Sequence, residues 1–343
     1  MMSVSGKNWE KIFINERISQ KLKIDHNFPD ILAKLIISQN FSEKEIFSIT
    51  NTTDLKNPFL KNKDFLTSYN ILKENILKKN KILIIGDYDV DGCISTSLMV
   101  NFLNKVKANS SFYIPNRIQD GYGASLDLVK RLVNKKKPNL VIMLDCGSNS
   151  IDTIKYLNQN KINIIIIDHH NISIPYHAID SLINPKKDCD YKKYNYLCTA
   201  FLTYLFLDLF IRKQNYNFSM KNDLIYVLLA TVCDVMPLRN LNRFLAIKVL
   251  KNFDINQDFI FKTFFNLNKI KRNLIIEDLS FMIGPILNSA GRMGDANIVV
   301  QLLTSTNQIL QTKIINKLIL INNKRKKVEN EILNQINFEK FNL

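Results

Sequence analysis

Residues 81–92, KILIIGDYDVDG, place a run of apolar residues directly before three aspartates at alternating positions. The run KILIIGD (81–87) shows no alternation of polar and apolar residues, and NLVIMLD (139–145) and INIIIID (162–168) repeat the pattern. Continuous apolar runs of this length are typical of strands covered on both faces of a parallel sheet. Helix-compatible stretches such as 125–136 lie between them. The sequence therefore predicts an α/β fold, doubly wound, with a mainly parallel sheet flanked by helices.

The segments on either side of these runs are predicted to be helical. Residues 1–75 are predicted to form a helical region packed on the core, in which Ser42 followed by Glu45 is a capping box. Residues 298–343 are predicted to contain a long connecting helix at 313–336. The apolar residues at helical spacing on one face of that helix are Leu318, Ile321, Val328 and Ile332. We expect this stripe to be covered by a partner and residues 76–297 to form one catalytic domain.

Composition restricts the possible classes of protein. The chain has 343 residues and is 46% hydrophobic, which is enough for a substantial core. Its amino terminus has no apolar region typical of a secretory signal, and the apolar stretch 197–211 is too short to span a membrane. The five cysteines include no CxxC pair, which argues against a disulfide framework or a zinc site. We therefore predict a soluble, cytoplasmic protein.

The net charge of +16 favours a polyanionic partner such as nucleic acid. The abundance of Lys, Asn and Ile has a second explanation, because AT-rich coding raises the lysine content without any ligand. Charge alone leaves both interpretations open.

Each of the three apolar runs ends in an aspartate, namely Asp87, Asp145 and Asp168. In open parallel sheets, ligands bind at the carboxyl ends of the strands. The sequence therefore brings carboxylates from three segments to one edge, where Asp89 and Asp91 join them. Taken alone, the acidic stretch could also be a solvated turn or a calcium-type loop. A metal site would relieve the repulsion between the carboxylates.

His169 and His170 follow the third run directly. A carboxylate-rich site with one or two imidazoles suits Mn²⁺, with Mg²⁺ as a substitute. Carboxylates converging from several segments can hold two cations about 3.5–4 Å apart, as in phosphoryl hydrolysis. Asp168 next to a ligating histidine is placed to orient it.

Four motifs occur in the order found in the DHH phosphoesterase superfamily: DYDVDG, LDCGSNS, IDHH and ATVCDVMPL. The segments YIPNRIQDGYG (113–123) and GPILNSAGRMGDA (284–296) resemble the RecJ-type exonucleases of that superfamily. The resemblance implies a DHH catalytic domain with a metal-dependent 5′→3′ exonuclease activity. Such an enzyme releases 5′ mononucleotides from single-stranded DNA in DNA repair and recombination, with single-strand-binding protein and a helicase as partners.

The resemblance also implies a role for individual residues. The catalytic set is Asp87, Asp89, Asp91, Asp145, His169, His170 and Asp234. Within it, the implied metal ligands are Asp89, Asp91, Asp145, His169 and Asp234, with Asp145 bridging two Mn²⁺ or Mg²⁺ ions. His170 is implied to face the phosphate, and Arg117, Asn288 and Arg292 are implied to contact the substrate.

RecJ-type enzymes also carry a second, DHH-associated domain with a Gly-Gly-His signature, and an OB-like fold. This chain contains no adjacent glycines, and we expect those domains to be absent from it. Two alternative functions also stay open. One is a DHH-type phosphoesterase for oligoribonucleotides or cyclic dinucleotides, and the other is a non-catalytic DNA-binding scaffold on the same fold.

Overall fold

Five parallel strands form the central sheet in the computed structural model, which describes residues 6–8, 10–51, 55–173, 179–187 and 189–335. The strands are β1 (Ile82–Ile85), β2 (Ser110–Tyr113), β3 (Leu140–Leu144), β4 (Asn163–Ile167) and β5 (Ser181–Ile183). Their spatial order is β2-β1-β3-β4-β5, and all four pairings are parallel. The three predicted strands are confirmed as β1, β3 and β4. β2 and β5 were not predicted, because each begins with serine and lacks a continuous apolar run.

The described residues contain fourteen α-helices. They are α1 (Glu16–His26), α2 (Asp30–Ser38), α3 (Glu43–Thr50), α4 (Lys63–Leu77), α5 (Val90–Lys105), α6 (Leu126–Lys136), α7 (Ile151–Gln159), α8 (Thr199–Gln214), α9 (Leu224–Cys233), α10 (Asn240–Asn252), α11 (Phe259–Leu267), α12 (Gly284–Met293), α13 (Asn297–Thr304) and α14 (Gln308–Gln335). The predicted fold class is confirmed. The predicted capping box of Ser42 and Glu45 is present at the start of α3.

Both faces of the sheet are covered, which explains why the strands are apolar throughout. Leu83 and Ile85 of β1 belong to an apolar cluster with residues of α6 and α7. Because side chains alternate along a strand, Ile82 and Ile84 point to the opposite face. Helices α4, α5 and α8 cover that face. All three contact the sheet, and α8 also packs against α4 and α5. All four β1 residues are buried.

Two helical segments outside the sheet can be set beside the sequence. The apolar stretch 197–235 forms two helices, α8 and α9, and α9 ends at Cys233, before Pro237. The long helix α14 begins at Gln308, earlier than predicted, and Leu318 is buried while Val328 and Ile332 are exposed. Residues 1–5 and 336–343 of the predicted terminal segments lie outside the described residues. No helix among the described residues is long and apolar enough to cross a membrane.

The chain divides into two compact units. Unit 1 takes in the described residues up to Leu55 together with Leu238–Lys248, and unit 2 takes in Lys56–Pro237 and the described residues from Val249 onward. Unit 1 contains a small core of Leu22, Phe28, Ala33 and Ile36. Unit 2 contains the whole sheet. The predicted domain limits at residues 75 and 297 stay predictions.

Within unit 1, Arg239 joins the two chain segments. Its guanidinium donates to both carboxylate oxygens of Glu45, and it also donates to the carbonyl oxygens of Gln39 and Asn40 at 3.1 and 3.0 Å. The same group lies 4.7 Å from the centroid of the Phe41 ring. Glu45 is buried, and these contacts, above all the hydrogen bond from Arg239, hold the pKa of its carboxyl at about 2.

Candidate metal centre

The loop after β1 delivers three aspartates to the carboxyl edge of the sheet. β1 ends at Ile85 and α5 begins at Val90, so residues 87–91, here called the acidic loop, run directly into a helix. Asp89 is the N-cap, and its Oδ1 accepts a hydrogen bond from the Gly92 backbone N–H at 2.9 Å. The positive end of the helix dipole favours the carboxylates of Asp89 and Asp91.

The amino terminus of α8 holds two of the buried carboxylates. Asp91 Oδ2 accepts from the Thr199 N–H at 2.7 Å and Asp91 Oδ1 from the Ala200 N–H at 2.8 Å. The Thr199 hydroxyl donates to Asp145 Oδ1 at 2.9 Å. Sequence reasoning did not identify Thr199, because a threonine in an apolar stretch gives no signal of what it faces. The structure makes it the residue that joins Asp91 to Asp145.

Asp145 follows β3 in an uncommon backbone conformation. Its φ is 63°, in the left-handed region, and its N–H donates to the Ile167 carbonyl of β4 at 3.0 Å. Aspartate is one of the few residues that tolerate this region. The conformation ends the β3–β4 ladder and places the carboxylate at the sheet edge, where it is 1% exposed. Backbone outliers of this kind concentrate at functional sites.

His169 lies among carboxylates from three elements. Its Nε2 is 3.4 Å from Asp145 Oδ1, 3.4 Å from Asp234 Oδ2 and 3.9 Å from Asp91 Oδ2. Asp234 reaches this place because it is the C-cap of α9. A single imidazole nitrogen therefore faces three acidic side chains, an arrangement that suits a cation held jointly by the imidazole and the carboxylates.

The side chains form three groups whose ligand atoms lie within 4.8 Å of one another. The groups are Asp87–Asp89–Asp145, Asp91–His169–Asp234 and Asp145–His169–His170. Among the described residues, four buried polar atoms of these side chains have no hydrogen-bond partner: Asp87 Oδ1, Asp145 Oδ2, His169 Nδ1 and Asp234 Oδ2. Buried carboxylate oxygens without a donor are costly unless a cation satisfies them. The donor set therefore fits divalent metal ions that prefer oxygen with some imidazole, such as Mn²⁺.

The pKa values of the carboxyls also reflect the cost of burying unpaired negative charge. Burial, followed by the charge of Asp89, raises the pKa of Asp87 to about 7. Burial and the neighbouring Asp91 raise the pKa of Asp234 to about 8 and the pKa of Asp145 well above its ordinary value. Without a cation, burial and mutual repulsion favour the protonated form of these carboxyls.

Asp168 makes different contacts from the other two aspartates that follow strands. Its Oδ1 accepts from His170 Nδ1 at 2.8 Å and from the His169 and His170 backbone N–H groups, and its Oδ2 accepts from the Ser148 N–H at 3.2 Å. Burial alone would raise the pKa of Asp168, but the hydrogen bonds, chiefly from His170, outweigh it and hold the pKa at about 2. Asp168 in turn raises the pKa of His170. Asp168 was predicted to orient a histidine, and the histidine whose ring it holds is His170. The Nε2 atom of His170 is 3.3 Å from the Tyr122 hydroxyl.

Helix α12 packs against the acidic loop. Asn288 Oδ1 accepts from the Val90 N–H at 3.1 Å, and a Cβ added at Gly291 would lie 2.3 Å from the Tyr88 carbonyl oxygen. Glycine at position 291 thus permits the helix backbone to approach the loop between Asp87 and Asp89. A segment almost 200 residues further along the chain therefore supports the loop that carries three of the carboxylates.

A known protein family matches the part of the chain that carries most of this centre. Residues 81–232 match the model of the DHH family, N-terminal domain. Over these residues the chain is similar to DHH-family proteins. The matched segment contains six of the seven predicted catalytic residues, and Asp234 lies two residues beyond it.

The chain as a whole is similar to RecJ proteins. It is 31% identical over 276 residues to the single-stranded-DNA-specific exonuclease RecJ of Escherichia coli (strain K12), covering 76% of this chain and 47% of that protein. It is 25% identical over 343 residues to RecJ of Bacillus subtilis (strain 168), covering 97% of this chain and 42% of that protein. The chain therefore spans about half the length of the curated relatives that it matches.

Solved RecJ structures share the fold. A crystal structure of exonuclease RecJ bound to manganese superposes with a TM-score of 0.71 at 22% identity, covering 83% of this chain and 70% of that one. RecJ of Thermus thermophilus in complex with Mn²⁺ superposes with a TM-score of 0.79 at 20% identity, covering 94% of this chain and 46% of that one. At these identities the likeness shows the fold.

All seven predicted catalytic residues meet at one edge of the sheet, and each belongs to at least one of the three ligand groups. Asp87, predicted as catalytic but not among the five implied ligands, groups with Asp89 and Asp145. The predicted substrate residues other than His170 lie outside these groups. Arg117 is exposed with its guanidinium 5.5 Å from the Tyr88 ring centroid, and Arg292 is exposed in the last turn of α12. Asn288 has the Val90 N–H as a hydrogen-bond donor.

Proposed function

We propose that this chain is a metal-dependent phosphodiesterase that degrades single-stranded DNA from its 5′ end and releases 5′ mononucleotides. The observation that carries the proposal is the position of Asp145. It belongs to one ligand group with Asp87 and Asp89 and to another with His169 and His170. Two divalent cations held on either side of one carboxylate are the arrangement used in phosphoryl hydrolysis.

Asp87 and Asp89 would hold one Mn²⁺ or Mg²⁺ ion, Asp91, His169 and Asp234 would hold the second, and Asp145 would be shared between the two. When bound, the ions neutralise charge on the phosphate and supply a nucleophilic hydroxide from water. Thr199 fixes the rotamer of the Asp145 carboxylate through its hydroxyl. Asp91, Asp145 and His169 are buried, which strengthens the electrostatic contacts that they make.

The contacts of His170 support a role for its ring at the phosphate. Its Nδ1 is held by Asp168, so its Nε2 points away from that carboxylate toward the Tyr122 hydroxyl. The raised pKa of His170 increases the fraction of the ring that carries a proton on both nitrogens. A proton held at Nε2 is a hydrogen-bond donor for charge that develops on a phosphate oxygen. Arg117 and Arg292, both exposed, are proposed to contact neighbouring phosphates.

The biological setting is part of the same proposal. Roles in DNA repair and recombination, a cytoplasmic location, and single-strand-binding protein and a helicase as partners are supported by the resemblance to RecJ proteins. The exposed part of the stripe on α14, which includes Val328 and Ile332, is proposed to meet a further partner surface.

A nuclease assay tests the activity. The chain is incubated with 5′-labelled and 3′-labelled single-stranded DNA and with duplex DNA, in Mn²⁺ or in EDTA. We expect Mn²⁺-dependent release of labelled mononucleotide from the 5′-labelled single strand at the earliest times, and progressive shortening of the 3′-labelled strand. Asp145→Ala should abolish turnover. Asp127→Ala, which removes an exposed carboxylate outside the ligand groups, is the matched control and should behave as the parent chain.

Other outcomes of the same assay select other functions. Binding of DNA without turnover, unchanged by EDTA, would reject the nuclease in favour of the scaffold. Turnover of short oligoribonucleotides or cyclic dinucleotides but not of long single strands would select the small-substrate phosphoesterase.

A further inference from the structure

Four lysines occupy the turns that lead into β1–β4. They are Lys79 before β1, Lys107 before β2, Lys137 before β3 and Lys161 before β4, with φ values of 54°, 56°, 49° and 55°. Each has the left-handed conformation that ends the preceding helix or turn. Two residues after each lysine, the chain makes its first backbone hydrogen bond to a neighbouring strand. We call these four residues the lysine row.

The sheet places these four turns side by side. The Ile82 N–H donates to the Asn109 carbonyl, the Asn139 N–H to the Lys81 carbonyl, and the Asn163 N–H to the Asn139 carbonyl. The turns therefore follow the strand order, so that the lysines run 107, 79, 137 and 161. Since adjacent strands lie about 4.8 Å apart, the lysine row extends over about 14 Å.

The charges of the lysine row are not neutralised by acids within the described part of the chain. All four lysines are exposed, and none has a carboxylate within ion-pair distance there. Further exposed lysines flank the row, namely Lys78, Lys81, Lys135 and Lys136. Of these, Lys78 is paired with Glu74. The row stops at β4, because Asp180 precedes β5 and its Oδ2 accepts from the Ile164 N–H at 2.9 Å.

Lysine bias in the coding sequence does not account for this pattern. The left-handed region favours Gly and Asn, and this chain places asparagine there at Asn27, Asn40, Asn215 and Asn240. None of those asparagines precedes a strand, whereas a lysine occupies all four turns into β1–β4. One further left-handed lysine, Lys269, precedes no strand, but a general bias would also place asparagine in some of the four turns into β1–β4.

The geometry points to a contact surface for the phosphate backbone of duplex DNA along the lysine row. Lysine offers a point charge on a flexible stem, which suits phosphates without reading bases. The residues between each lysine and its strand are Asn80, Ala108, Pro138 and Ile162 with their neighbours, and none is aromatic. Single strands are bound by aromatic stacking platforms, so turns that carry charge and no aromatic residue favour a duplex, which carries one charge per about 1.7 Å of its axis.

This surface is distinct from the metal centre. In a parallel sheet, residues that precede the strands and residues that follow them lie at opposite edges. β1, β3 and β4, which have a lysine before them and an aspartate after them, are four to five residues long. The two edges of the sheet are therefore separated by about 15 Å or more. Duplex binding at the lysine row is therefore expected to need neither metal nor the catalytic carboxylates.

The test measures binding of a 20-base-pair mixed-sequence duplex by fluorescence anisotropy in EDTA over a series of salt concentrations. One variant carries Lys79→Gln, Lys107→Gln, Lys137→Gln and Lys161→Gln. Glutamine keeps the Cβ and most of the length of the stem, so the turns are retained. The matched control removes four exposed lysines elsewhere in unit 2: Lys251→Gln, Lys262→Gln, Lys269→Gln and Lys271→Gln. Lys269 also has a left-handed φ of 54°, but no strand follows it.

We expect the slope of log K against log[salt] to become shallower by about 3 to 4 in the row variant, because each lost phosphate contact removes about 0.9. The control should lose at most about 1. Equal losses in both variants would mean that net charge alone binds the duplex and would overturn the proposal, as would an unchanged slope in the row variant. Loss of duplex binding in Asp145→Ala would place the duplex at the metal centre and also overturn it, whatever the outcome of the nuclease assay.

Discussion

Replacing Gly291 with alanine is expected to weaken Mn²⁺ binding while leaving the chain folded. An added Cβ would lie 2.3 Å from the Tyr88 carbonyl oxygen, 3.1 Å from the Tyr88 carbonyl carbon and 3.3 Å from its Cβ. The first of these distances is far below ordinary contact. Because the obstacle is backbone, it cannot be relieved by rotation of a side chain, and either α12 or the acidic loop must move.

The size of the movement follows from the contact distance. Ordinary contacts of a Cβ begin at about 3.4 Å, so the Tyr88 carbonyl has to retreat by about 1 Å. Tyr88 lies between Asp87 and Asp89, and both carboxylates would move with it. Disturbing the groups that support metal ligands costs about 10- to 100-fold in metal affinity. Overpacking costs about 1–3 kcal/mol in the free energy of unfolding, less than the stability of an ordinary domain.

Gly294→Ala is the matched control, since it lies three residues further along and its added Cβ would meet nothing closer than the Ala290 carbonyl oxygen at 3.8 Å. Mn²⁺ titration calorimetry should give parent affinity for Gly294→Ala and an affinity about 10- to 100-fold weaker for Gly291→Ala. Thermal melts with and without Mn²⁺ should show the same order. Parent affinity in a folded Gly291→Ala chain would refute the idea that α12 positions the acidic loop. If Gly291→Ala does not fold, Asn288→Ala tests the same support without a clash, by removing the acceptor of the Val90 N–H.

Three further predictions follow from the contacts around the buried charges. The pKa of Asp87, about 7, lies above its ordinary value of 3.8, so the folded chain binds a proton that the unfolded chain has lost between those pH values. In EDTA, the free energy of unfolding from urea melts should therefore fall from pH 5 to pH 8, and a flat profile would contradict this. In unit 1, the pKa of Glu45 is about 2 against 4.5, so its contribution, about 3 kcal/mol, is present above pH 4.5 and lost as the pH falls toward 2. Arg239→Met should remove most of that contribution at pH 7, while unchanged urea melts would show that the pair adds no stability. Thr199→Val should weaken Mn²⁺ binding about 10-fold by calorimetry, because it removes the hydroxyl that holds the bridging aspartate. Thr203→Val is its control, since Thr203 is buried and its hydroxyl has no partner among the described residues; equal effects in the two variants would argue against the role of Thr199.

The positions of the strand-ending aspartates were predictable from local sequence. Each follows a continuous apolar run, and the carboxyl ends of parallel strands meet at one edge whatever the strand order. Asp87 and Asp145 were therefore expected to lie close together, and both belong to the same ligand group. Asp168 also ends a run, but it faces His170 rather than the carboxylates, and only the turn geometry after β4 shows this.

Other features have no local signature. Thr199 is one polar residue in an apolar stretch, and its role depends on α8 meeting the edge of the sheet. Gly291 has nothing to distinguish it until α12 is seen against Tyr88. Leu238–Lys248 joins unit 1 across nearly 200 residues, through the ion pair of Arg239 with Glu45.

The sequence by itself determined the α/β class, the three central strands and the residue types of the metal centre, because these depend on periodicity and on which residues follow each run. Only the tertiary structure decided which carboxylates group together, which of them lack a donor, and which backbone supports the acidic loop. The lysine row shows the same division. Each lysine is visible in the sequence before its strand, but the strand order alone places Lys107, Lys79, Lys137 and Lys161 next to one another, because adjacency in a sheet is set by hydrogen bonds between segments distant in the chain.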